Sequence, residues 1–288
     1  MARLLHNFLL LTVGLTVKIR VMGYWSLIYG YCALCTGVAL IKLGWNIILR
    51  PSTTFQWTVR EIPPSCLNDT SLGTHCYVRI KESGLRFHYV AAGERGKPLM
   101  LFLHGFPEFW FSWRHQLREF KSEFRVVAVD MRGYGESDLP SSTESYRLDY
   151  LVTDIKDIVE YLGYNRCFLV GHDWGGIIAW LCAIHYPEMV TKLIVLNSPH
   201  PCVFTGKCPI HLTIRPVLSY QPRMLWFAFS SLTNVFSQAL KSLFTSRSTG
   251  ISCKGRWLTT EDLEAYLYAL SQPGALTGAL NYFRNVFR

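Results

Sequence analysis

Between the apolar run Cys167-Phe168-Leu169-Val170 and the helical pattern Ile177-Ile178-Ala179-Trp180-Leu181 lies Gly171-His172-Asp173-Trp174-Gly175-Gly176. Glycines on both sides of a single acidic residue fit a strand that turns abruptly into a helix, because such a turn crowds the backbone and leaves no room for neighbouring side chains. The chain is thereby constrained to a strand-to-helix architecture in which Asp173 stands at the tip of a strand. A serine in that place attacks esters, whereas a carboxylate forms an ester by attacking a saturated carbon. That narrows the chemistry to displacement at an sp3 centre, such as ring opening or loss of a halide. The plainer reading makes Asp173 the N-cap of the helix that follows. It loses ground because neighbouring motifs supply other parts of one site.

The surrounding pattern extends this architecture. Residues 85–90, 98–103 and 124–129 read as strands, with a helix over 113–120 between the last two. A helix over about 150–162, a strand over 167–170, a helix running to His185 and closed by Pro187, and a buried-type strand over 193–196 follow. Apolar runs that are continuous and alternate with helices predict an α/β fold with a doubly wound, mostly parallel sheet covered on both faces. Beyond Pro201 the alternation stops. Residues 205–260 hold seven basic and no acidic side chains. The clear element there is a helix over 261–270, which Thr259 and Asp262 can cap and Pro273-Gly274 ends. The expected organisation is a membrane segment over 1–50, a linker over 51–80, an α/β core over 81–204 and a partial helical cap over 205–288.

The net charge of +9 belongs to the two ends of this 288-residue chain: residues 51–200 carry fifteen basic and seventeen acidic side chains, and 1–50 five basic and none acidic. No basic stripe interleaved with aromatics falls on the folded part, so no nucleic-acid partner is expected. Residues 21–41 contain no charge. At ~1.5 Å per residue such a helix matches the ~30 Å hydrocarbon core of a bilayer. Trp25, Tyr29, Tyr31 and Trp45 are candidate interfacial anchors, with Arg3, Lys18 and Arg20 before the span and Lys42 and Arg50 after it. The long apolar run and the lack of a small-x-small cleavage site favour an uncleaved anchor over a signal peptide. The expected disposition is single-pass, type II, in the endoplasmic reticulum membrane. The sequon Asn68-Asp69-Thr70 then becomes a glycosylation acceptor at Asn68. Nine cysteines, an odd number without regular spacing, argue against a disulfide framework, and no Cys or His spacing resembles a metal site. No metal or other cofactor is expected.

Two further motifs stand at the ends of the predicted strands. His104-Gly105-Phe106-Pro107 places backbone N–H groups at the carboxyl edge of the sheet, where open α/β folds bind ligands. The amides of Phe106 and Trp174 would form an oxyanion hole, with both side chains against the substrate, while His104 reads as a structural hydrogen-bonder. The glycine-rich run Asp130-Met131-Arg132-Gly133-Tyr134-Gly135-Glu136-Ser137-Asp138 lacks the GxxxxGK[ST] pattern and is read as structural. Together, His104-Gly105-Phe106-Pro107-Glu108, the Arg132–Asp138 loop and the Asp173 elbow resemble the epoxide hydrolase branch of the α/β-hydrolase superfamily. With the N-terminal anchor, the organisation is similar to the membrane-anchored epoxide hydrolase 4-like group.

That resemblance implies a two-step reaction on small lipophilic epoxides. Asp173 attacks an epoxide carbon while cap tyrosines assist the leaving oxygen, and a histidine–acid pair then activates water against the ester. Family members place a cap tyrosine where this chain has Phe283; Tyr282, one position away, is the expected donor, with Tyr220 a guess for a second. The family's last core strands, base and acid follow the cap, and they are expected to be missing here, so turnover is expected to be impaired. The alternatives are a catalytically silent, membrane-anchored ligand-binding or interaction protein, and a haloalkane dehalogenase-like enzyme. Against the latter, dehalogenases usually carry Asn where this chain has Phe106.

Overall fold

The computed structural model describes residues 2–49, 51, 59–204 and 258–286, and the chain divides into two units. The first contains helix α1, Ala2–Leu49. Among the described residues α1 is the one helix long and apolar enough to cross a membrane, over Thr12–Val38. This stretch starts earlier than the expected 21–41 and takes in Lys18 and Arg20. In a bilayer the flexible stems of these two cations would let their charged heads reach the interface.

The second unit is built on a six-stranded sheet: β1 (Thr74–Arg79), β2 (Arg86–Ala92), β3 (Leu99–Leu103), β4 (Arg125–Val129), β5 (Cys167–His172) and β6 (Val190–Leu196), in the order β1-β2-β4-β3-β5-β6. The run β4-β3-β5-β6 is parallel, as the continuous apolar strands predict. β2 is antiparallel to both β1 and β4, which makes the sheet mixed. The turn over residues 80–85, closed by Ile80 N–H donating to Leu85 O at 2.9 Å, is too short for a parallel crossover and dictates the antiparallel β1–β2 pairing.

β1 corrects the reading of 51–80 as a linker. Its residues are mostly polar and only Val78 is buried, an edge-strand composition with little signal in the sequence. The preceding residues are also docked: Gln272 Nε2 donates to Arg60 O at 3.0 Å and Glu261 accepts from the Cys66 amide at 3.0 Å.

Helices α2 (Arg114–Phe120), α3 (Leu148–Tyr161), α4 (Trp174–His185), α5 (Pro201–Phe204), α6 (Thr260–Ser271) and α7 (Ala275–Val286) complete the unit. The core joins Leu99, Leu101 and Leu103 of β3 and Val127 and Val129 of β4 to Ile155, Ile158 and Val159 of α3 and Ile178, Ala179 and Cys182 of α4. β6 departs from the expected buried strand, with Ile194 and Leu196 46% and 42% exposed. No further strand covers its outer side among the described residues.

α6 begins with the expected capping box: Asp262 N–H donates to Thr259 Oγ1 at 3.0 Å and Thr259 N–H to Asp262 Oδ2 at 2.8 Å. Arg114 ties this end to α2 through Asp262 at 3.2 Å. α7 lies against the Arg132–Asp138 loop at a backbone-to-backbone approach, where a Cβ on Gly278 would stand 2.5 Å from Gly133 O. Tyr220 lies outside the described residues. Cys66, Cys76, Cys167, Cys182 and Cys202 are free thiols.

Candidate active site

Asp173 sits between β5 and α4 with φ 51° and ψ −115°, a left-handed conformation that costs a non-glycine residue about 1–3 kcal/mol. The elbow glycines make it possible: a Cβ on Gly171 would lie 2.3 Å from Gly175 O. The Asp173 backbone is fixed at both ends, its N–H donating to Leu196 O at 3.2 Å and its carbonyl accepting from Gly176 and Ile177 at 3.0 and 3.1 Å. Its side chain makes no capping bond to α4. The N-cap reading therefore does not describe the carboxylate.

Asp173 Oδ1 accepts instead from the Phe106 amide at 3.0 Å. Burial pushes its carboxyl above the ordinary 3.8, while the Phe106 and Trp174 amides work in the opposite direction by favouring the anion. The turn that carries Phe106 is held by Glu108. Its Oε2 accepts from the Gly105 amide at 3.0 Å and meets His172 Nδ1 at 2.9 Å. His104 is fully buried, with Nδ1 against Gly105 O at 2.9 Å and Nε2 accepting from the Met131 amide at 3.1 Å, the structural role expected of it.

α7 supplies an aromatic wall. Phe283 meets the Phe106 and Trp174 rings edge-on, with centroids 5.3 and 4.8 Å apart. Tyr282, expected as the proton donor, is fully buried, and its hydroxyl donates to Arg132 O at 2.6 Å. A phenol has one proton to give, so in this arrangement Tyr282 anchors α7 and Phe283 faces the Phe106–Trp174 side. Tyr266 is likewise engaged, its hydroxyl 2.9 Å from Ser112 Oγ. The hydroxyl of Tyr134 is buried with no hydrogen-bond partner among the described residues, and its ring packs on His104 at 4.7 Å. An unsatisfied buried hydroxyl is uncommon, and only its motif, not its environment, was visible in the sequence. Asn68 is exposed at the end of a 3-10 turn, Ser65–Asn68.

A mixed sheet with an acidic elbow after its fifth strand and a glycine turn after its third defines a class, and residues 98–276 match the α/β hydrolase fold family. Mouse epoxide hydrolase 4 is 65% identical over 275 residues, covering 93% of this chain and 76% of that protein. Epoxide hydrolase 3 of Xenopus tropicalis is 42% identical, covering 98% and 78%. Among solved structures, the F128A mutant of a Bacillus megaterium epoxide hydrolase, complexed with its product (R)-3-[1]naphthyloxy-propane-1,2-diol, superposes with a TM-score of 0.62 at 38% identity, covering 73% of this chain and 71% of that one. This chain belongs to the epoxide hydrolase family of α/β-hydrolases.

Proposed function

We propose that this chain opens lipophilic epoxides with Asp173 as the nucleophile. The observation that carries the reading is a carboxylate held at a strained elbow, free of any helix-capping bond and met by the Phe106 amide at 3.0 Å. A carboxylate oxygen bonds to a ring carbon, the bond from that carbon to the ring oxygen breaks, and the released alkoxide takes up a proton from water. The product is an alkyl ester on Asp173. In the second half water adds to the ester carbonyl, the Phe106 and Trp174 amides stabilise the oxyanion, and the diol departs as the carboxylate is restored.

The second half needs a general base. No described histidine is hydrogen-bonded to Asp173, since His104 and His172 are engaged with the Met131 amide and Glu108. Ester formation is therefore expected to outpace diol release. The apolar wall of Phe106, Trp174 and Phe283 suits a hydrophobic substituent on the epoxide. α1 fits a single-pass anchor, type II in the endoplasmic reticulum membrane, which would place the site where lipophilic epoxides concentrate.

Intact mass after incubation with an aryl glycidyl ether tests the reading. One added epoxide mass is expected in the unsubstituted chain and none in Asp173→Asn. Diol release without an accumulated adduct, lost in the same variant, would keep the nucleophile and remove the stall. No adduct and no diol would leave a membrane-anchored ligand-binding protein.

A further inference from the structure

We propose that His75, His88 and Glu136 form a site for a divalent transition-metal ion of the zinc class, on the β1–β2 side of the sheet. His75 lies on β1, His88 on β2 and Glu136 in the loop after β4. One ligand atom from each lies within 4.8 Å of the other two.

The tautomers follow from the outer partners. His75 Nε2 stands 3.0 Å from Leu67 O. A carbonyl can only accept, so Nε2 carries the proton and Nδ1 presents a lone pair. His88 Nδ1 stands 2.7 Å from Asp130 Oδ2. Asp130 accepts from the Trp110 and Glu136 amides at 2.8 and 3.1 Å, the pattern of an acceptor carboxylate. It accepts from His88 Nδ1, so in the neutral ring Nε2 of His88 presents a lone pair. The two lone-pair nitrogens face each other 2.9 Å apart. Two acceptors at that distance repel unless a proton or a metal cation lies between them.

Two features favour the metal. Each imidazole has its second nitrogen held by a carbonyl or carboxylate, the arrangement that orients histidine ligands and raises their basicity. Glu136 brings a third ligand of suitable chemistry, oriented by the Tyr77 hydroxyl and by its own amide, which donates to Asp130 Oδ2 at 3.1 Å. With metal–nitrogen bonds of about 2.0–2.1 Å in a tetrahedral arrangement, the two nitrogens would stand about 3.3 Å apart. An opening of a few tenths of an ångström on the edge strand β1 provides this. Glu136 is exposed, so water can take the fourth position. The ion would clip β1, β2 and the loop after β4 together. Through Asp130 Oδ1, which accepts from the Trp110 amide at 2.8 Å, it would also brace the segment that follows the Phe106 turn.

The experiment uses the full chain stripped with a chelator and titrated with Zn2+ against a chromophoric competitor, with melting temperature as a second readout. One equivalent per chain and a rise in melting temperature are expected. Both His75→Ala and Glu136→Gln should weaken binding about tenfold or more, on the scale of disrupting a ligand's support. His115→Ala, which removes an exposed histidine elsewhere, should bind as the unsubstituted chain does. Absence of stoichiometric binding would overturn the proposal and leave a shared proton between the imidazoles. Binding unaffected by either substitution would overturn it too, placing the ion on other histidines or on free cysteines. If His75→Ala fails to fold, the exposed Glu136 supplies the deciding variant.

Discussion

Burial acts on both members of the Glu108–His172 pair, and each shifts the other against it. The side chains are 15% and 27% exposed, so the pair is largely withdrawn from water. For His172, burial alone would lower the imidazole below 6.5, but the Glu108 hydrogen bond and charge, helped by Asp173, leave it raised. For Glu108, burial would raise the carboxyl above 4.5, but the His172 bond and charge and the Gly105 amide leave it lowered. A raised histidine contributes stability that is complete below about 6.5 and is lost as pH rises through its folded value; a lowered carboxyl contributes stability present above about 4.5 and lost as pH falls through its folded value. The pair is therefore most stabilising in the mildly acidic window between those ordinary values. Melting temperature followed from pH 5 to pH 9 should fall less steeply in Glu108→Gln than in the unsubstituted chain. Equal slopes would mean that the pair is not ionised in the folded protein. For Asp173 the raised carboxyl sets the opposite trend in reactivity: adduct formation should rise with pH through a midpoint above 3.8 and then level off.

At the scale of elements, α7 decides which side chain meets the elbow. Successive residues on a helix point about 100° apart, so the exchange of a tyrosine between positions 282 and 283 redirects a hydroxyl from the site into the body of the unit. Tyr282→Phe tests the anchoring role. Removing the donor to Arg132 O should destabilise the unit by about 1–3 kcal/mol, read as a lowered melting temperature, while adduct formation on Asp173 persists. Loss of adduct without loss of stability would restore Tyr282 as the proton donor. The elbow, the Phe106 turn and the Thr259–Asp262 capping box were legible because each is written in consecutive residues. The identity of the α7 anchor was not legible, because it depends on the rotation of a helix about a loop 150 residues away. β1 was hidden for a related reason: an edge strand of polar residues is made a strand by its partner β2. The Asp130–His88–His75 chain joins three separate segments, so regular spacing along the sequence could not reveal it.

For the whole molecule, the apolar N-terminal helix carries its own exposed cost. Within α1 the side chains of Leu27, Ile41 and Ile48 are 76%, 73% and 74% exposed, and at about 25 cal/mol per Å2 of apolar surface a row of such residues is costly in water. A bilayer removes that cost, and Lys18 and Arg20 can extend their charged heads toward its surface. The proposed type II arrangement puts the N-terminus in the cytosol and Asn68 in the lumen, where its exposed position leaves the sequon open to transfer of a glycan. The full chain, expressed with microsomes, should stay in the membrane pellet after alkaline carbonate extraction. It should also lose mass on endoglycosidase treatment, and Asn68→Gln should remove that change. Retention in the pellet without a glycan on the unsubstituted chain would keep the anchor and reverse the orientation, placing the Asp173 site on the cytosolic face. Release by carbonate would instead mean that α1 does not cross the bilayer, and its exposed aliphatic row would have to be covered by protein.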